Sequence, residues 1–169
     1  MKQEKQKTNR KALKIILPCA LLAAGIILLV LNLSKGSSAQ NSGGKPHLEV
    51  SETEYDFGIV PINGGILKKT FEIKNSGDGA LVIGPIWTSC HCTSAVFKLN
   101  GKQSPEFNMV KIPWSQKIAP NETGQIEVIF DPAFHGPSGI GEAIRAIFFE
   151  TNDPQNKSSE VRIAANVTP

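Results

Sequence analysis

The sequence predicts an all-β domain, an Ig-like antiparallel β-sandwich of about seven strands, preceded by one amino-terminal transmembrane helix. Three observations predict it. Beyond residue 47, apolar and polar residues alternate with a period of two in several short runs. Clusters of Gly, Pro, Asn and Asp punctuate those runs as turns. Ahead of them, Ile15 to Leu33 form nineteen consecutive residues without a charge, and a helix rising about 1.5 Å per residue would carry such a run across nearly the whole hydrocarbon core.

The 169 residues have room for one domain plus an appendage, and 40% hydrophobic with 20% charged residues is ordinary globular composition. The net charge of +3 belongs to the amino terminus. Lys2, Lys5, Lys7, Arg10, Lys11 and Lys14 stand there against Glu4 alone, while the remaining twelve basic and fourteen acidic residues leave the rest faintly acidic. That charge provides no footprint for a phosphate backbone, so nucleic acid is not an expected partner.

Residues 1–14 read as a basic cytoplasmic tail and residues 15–33 as a membrane anchor. Cations crowd only the amino-terminal flank, which keeps the tail inside and sends the remainder across the membrane. The competing reading is a signal sequence cut after Ser37-Ser38-Ala39. Signal cores usually run about 7–15 residues, shorter than this stretch, so a retained, single-pass anchor is the better reading. Pro18 precedes Cys19 and the apolar run continues past it, a poor context for lipidation, so Cys19 reads as apolar filler.

Residues 34–46, rich in Gly and Ser, form a flexible linker reaching about 20 Å, and residues 47–168 form the domain. Leu67, Phe71 and Ile73 alternate with Lys68, Thr70, Glu72 and Lys74. The turn Asn75-Ser76-Gly77-Asp78-Gly79 follows, and Leu81-Val82-Ile83 opens a strand running through Pro85 and Trp87 toward two cysteines. From Lys98 to Pro120 the pattern breaks into a long connection, a length that usually marks function or disorder. Ile126, Val128 and Phe130 then alternate with Gln125 and Glu127. A Gly- and Pro-rich passage from Asp131 to Gly141 carries His135. Ile144 to Thr151, the turn Asn152-Asp153-Pro154, and a last strand with Val161, Ile163, Ala165 and Val167 inward complete the chain.

Chemistry concentrates in Trp87-Thr88-Ser89-Cys90-His91-Cys92-Thr93. On an extended strand Cys90 and Cys92 would aim one way and His91 the other, with the cysteine α-carbons about 6.6 Å apart, at the edge of what a disulfide tolerates. A metal ion asks for less distortion. Thiolates from Cys90 and Cys92, the thioether of Met109 and the imidazole of His135 form a set suited to Cu(I); Cys and His alone would serve zinc. The plainer account has Met109 filling a gap, His135 as a loop residue, and the two exported cysteines oxidised together. His91 joins the site only if the strand is interrupted there.

Tyr55-Asp56-Phe57-Gly58, Phe71-Glu72-Ile73-Lys74-Asn75-Ser76-Gly77, Ser89-Cys90-His91-Cys92-Thr93, Ile118-Ala119-Pro120-Asn121-Glu122 and Thr151-Asn152-Asp153-Pro154 stand in an order that resembles the bacterial domain of unknown function 1573 family. The likeness covers roughly residues 47–168. It implies a membrane-anchored Ig-like domain related to the ASH, MSP and Hydin group, and no settled activity. His91 replaces the Gly frequent in that family, and the connection after residue 98 is longer than in its shortest members.

Three functions remain open at this level. The first is a soft-metal site, Cu(I) or zinc, on Cys90, Cys92, Met109 and His135. The second is a thiol/disulfide couple of Cys90 and Cys92, which lacks the helix amino terminus and two-residue spacing that activate thioredoxin-like thiols. The third is an interaction module that binds an unidentified protein partner at the membrane through an edge strand or the long connection. Catalysis is not expected. Gly136-Pro137-Ser138-Gly139-Ile140 lacks the last glycine of a nucleophile elbow, and no carboxylate pair or phosphate loop is present.

Overall fold

A computed structural model describes residues 43–169. The basic tail, the anchor over 15–33 and most of the linker lie outside the described residues. Among those described, no helix is long and apolar enough to cross a membrane.

The domain is all-β, as two five-stranded sheets. The strands are β1 (Leu48–Val50), β2 (Glu54–Pro61), β3 (Leu67–Asn75), β4 (Leu81–Thr88), β5 (Thr93–Leu99), β6 (Lys102–Gln103), β7 (Gln116–Ile118), β8 (Thr123–Phe130), β9 (Gly141–Thr151) and β10 (Ser158–Thr168). One sheet runs β1-β3-β8-β5-β6 and the other β2-β10-β9-β4-β7. Only β2 with β10 is parallel. The described residues thus contain ten strands against the expected seven, because β1, β6 and β7 are two or three residues long and too short to show a period.

The alternation seen in the sequence becomes the core. Phe71, Ile73, Ile126, Val128, Phe130, Val161, Ile163, Ala165 and Val167 are all buried. Each large apolar side chain withdrawn from water contributes about 1.5–3 kcal/mol before entropy is counted, enough to fix strand register.

The long connection is structural. Phe107 is fully buried and exchanges backbone hydrogen bonds with Ala95 of β5, at 2.9 and 2.8 Å. One residue on, the Asn108 carbonyl accepts from the Thr88 amide of β4 at 3.0 Å. The connection therefore stitches one sheet to the other. Trp114 packs its ring 5.6 Å from Phe97 and 5.0 Å from Phe107. Gly84, at φ 116°, lets it cross: a Cβ there would stand 2.4 Å from the Trp114 carbonyl oxygen.

Candidate functional site

Two crossings between the sheets leave the same end of the sandwich. The first, residues 89–92, takes the chain from β4 to β5; the second, residues 131–140, takes it from β8 to β9. Register holds them together, since Thr93 pairs with Phe130 and Thr88 with Ile147. The Asp131 amide donates to the Cys92 carbonyl at 2.9 Å.

The strand does not run through the cysteines, which corrects the extended pincer expected from the sequence. β4 stops at Thr88, and Cys90 to Thr93 form a turn closed by the Thr93 amide donating to the Cys90 carbonyl at 3.1 Å. The buried Thr88 hydroxyl explains the stop, because it lies 3.0 Å from the Cys90 carbonyl oxygen and 2.9 Å from that of Thr93. A side chain that bonds nearby backbone in this way competes with ladder pairing. Ser89 ties the turn to β9: its amide donates to the Ala146 carbonyl, and its hydroxyl accepts from the Ala146 amide, both at 2.9 Å.

The second crossing is shaped by its own residues. The Asp131 carboxylate accepts from the Ala133 amide at 2.9 Å. A short 3-10 helix, Gly136–Gly139, follows His135. The Ser138 hydroxyl donates to the His135 carbonyl at 2.7 Å, and the exposed Phe134 ring meets the imidazole edge-on.

These constraints bring three ligand atoms together. One ligand atom from each of Cys90, Cys92 and His135 lies within 4.8 Å of the others. The Cys90 sulfur is 3.2 Å from His135 Nε2. The two cysteines are free thiols; Cys92 is buried and Cys90 partly exposed. Met109 is 42% exposed, in the connection just past Asn108. His91 is exposed, on the rim of a cleft shared with Cys92, Glu106, Asp131 and Phe134.

One participant was not singled out from the sequence. Arg145 Nε donates to the Cys92 sulfur at 3.0 Å, while its Nη1 donates to the Ile144 carbonyl at 2.9 Å. Its signal was available: in β9 it shares the inward parity of buried Ala143, Ile147 and Phe149, where a charge breaks the alternation.

The two thiols titrate apart. Burial pushes Cys90 up, but hydrogen bonds with the Cys92 side chain and His135, the Cys92 amide 3.3 Å from its sulfur, and the Arg145 charge outweigh it and lower the thiol to about 7. Burial, then the neighbouring Cys90, push Cys92 up despite Arg145. Burial works against the charge on Arg145, yet its bond to Cys92 and the charges of both sulfurs hold its pKa above the usual value. The arrangement is a soft, partly anionic donor set facing a fixed cation.

No curated protein matches the chain. Among solved structures, a protein of unknown function from Porphyromonas gingivalis W83 shares the fold at 21% identity and TM-score 0.55, over 80% of this chain and 51% of that one. This chain therefore spans about half the length of that protein. The ASH / PapD-like domain of human CEP192 is similar at 11% identity and TM-score 0.43, over 72% of this chain and 84% of its own. The YadV chaperone is similar at 11% identity and TM-score 0.44, over 72% and 52%. Residues 48–112, which hold the Ser-Cys-His-Cys-Thr turn, match the family described as "Protein of unknown function (DUF1573)".

Proposed function

We propose that the domain binds a soft metal ion, Cu(I) or zinc, through Cys90, Cys92 and His135. It acts by binding, not catalysis, and is displayed outside the membrane by the anchor at 15–33. The observation that carries this reading is the convergence of two sulfurs and an imidazole nitrogen within 4.8 Å from two separate crossings. Thiolate and imidazole are the ligand types these metals take from proteins. Met109, one residue beyond the bond that ties the connection to β4, is the candidate from the sequence for a fourth, weaker donor.

The test is a titration of the full chain, anaerobic and reduced, with Cu(I) or zinc against a competing chelator. One ion per chain is expected, with binding lost in Cys90→Ser, Cys92→Ser and His135→Ala. Micromolar or weaker Cu(I) affinity that ignores both serine variants would end the idea.

A second reading has its own support. A partly exposed thiol lowered to about 7 beside a buried thiol raised in pKa suits an attacking and a resolving sulfur in thiol/disulfide exchange. It predicts that mild oxidation removes both titratable thiols of the described domain and that a dithiol restores them. Two thiols that persist under an oxidising glutathione buffer would remove it.

A further inference from the structure

We propose that Arg145 makes this site selective for a monovalent soft cation, Cu(I) or Ag(I), over divalent zinc. The inference rests on the metal-binding reading above and deepens it.

The position of Arg145 carries the argument. It stands in an inward-facing row of β9 whose neighbours Ala143, Ile147 and Phe149 are buried, so the guanidinium is drawn to the end of the core. Among the described residues no carboxylate forms an ion pair with it. Its side chain is instead committed to the Ile144 carbonyl and the Cys92 sulfur, at 2.9 and 3.0 Å. A partly buried cation without a carboxylate partner needs a counter-charge, and the Cys92 sulfur is the group it contacts, the Asp131 and Glu106 carboxylates on the cleft beside Cys92 forming no ion pair with it.

Charge then separates the metals. Two thiolates, a monovalent ion and the guanidinium sum to zero. With zinc the same site carries an uncompensated positive charge. Both thiols release their protons to either metal, so any effect of Arg145 on thiolate formation cancels in the ratio of the two affinities. What survives is the repulsion between the guanidinium and the extra unit of charge on zinc.

The experiment measures Cu(I) and zinc affinities of the full chain by chelator competition for the wild type, Arg145→Gln and Arg145→Lys. The Cu(I)-to-zinc ratio is expected to fall by about tenfold or more in Arg145→Gln, and Arg145→Lys, which keeps the charge, is expected to recover most of it. An unchanged ratio in Arg145→Gln, or a lysine variant that behaves as the glutamine one, overturns the proposal while leaving metal binding intact. A wild type that takes up neither metal overturns both. Should Arg145→Gln fail to fold by circular dichroism, Arg145→Met serves as the uncharged variant, with the same fall in the Cu(I)-to-zinc ratio expected and an unchanged ratio overturning the assignment.

Discussion

At one end of the sandwich Asn75 and Asp153 are buried and the chain itself occupies their polar atoms; at the other, Cys90, Cys92 and His135 aim donor atoms at one another. Asn75 gives its amide to the Gly79 and Ile118 carbonyls, at 2.8 and 3.0 Å, and accepts from the Gly77 amide at 3.1 Å. Asp153 accepts from the Leu48 and Gln155 amides and the Asn156 side chain, at 2.8 to 2.9 Å. These contacts hold β1 and the turn after β9 in place. The same physics that leaves the Asp153 carboxyl at about 2, hydrogen bonds to its charged form led by Asn156 and the Leu48 amide, leaves it no capacity for a ligand. At the cysteine end the donors are large and soft, and one thiol is lowered to about 7. Hard polar atoms saturated by the chain mark the first end, and soft atoms converging beside a cation mark the end on which the proposed metal binding rests.

If the contrast is right, each end responds to a different assay. The largest effect belongs to Cys90→Ser, which should weaken Cu(I) binding at least about a hundredfold, since loss of mere supporting groups costs about 10–100-fold. Its urea midpoint should stay close to that of the wild type. Asp153→Ala should do the reverse, costing about 2–4 kcal/mol in denaturant unfolding by stranding buried donors while metal affinity holds.

Acid sharpens the same point. Because the folded pKa of Asp153 is depressed from 3.8 to about 2, its contribution is complete above pH 3.8 and is lost as pH falls through 2. The stability gap between wild type and Asp153→Asn should therefore narrow over that window. Asn75→Ala should cost about 1–3 kcal/mol, again without touching metal binding. The smallest effect is kinetic: iodoacetamide should modify Cys90 with a midpoint near its lowered pKa, about 7, and well before Cys92. In His135→Ala that midpoint should rise toward the ordinary thiol value. A metal-affinity loss in Asp153→Ala as large as in Cys90→Ser would dissolve the distinction between the ends.

Much of this was legible in the sequence, for reasons that also explain the rest. The buried rows of β3, β8 and β10 could be read because each strand is long enough to show its period. β6 and β7 could not, being two and three residues long inside a stretch held by Phe107 and Trp114. Cys90, Cys92 and His135 were chosen by ligand type, and the pairing of Thr93 with Phe130 brings them together. The turn at the cysteines was hidden because Thr88 reads as an ordinary strand residue until its hydroxyl finds the Cys90 and Thr93 carbonyls. Arg145 was hidden in the same way, as one cation in an otherwise regular strand.

The central claim is that two sulfurs and one imidazole from two crossings bind a single ion. X-ray absorption at the copper edge of the Cu(I)-loaded full chain tests it directly. Two sulfur scatterers and one imidazole nitrogen are expected, with one sulfur lost in Cys92→Ser and the imidazole lost in His135→Ala. A copper shell of nitrogen and oxygen alone, or a spectrum indifferent to those substitutions, would contradict it.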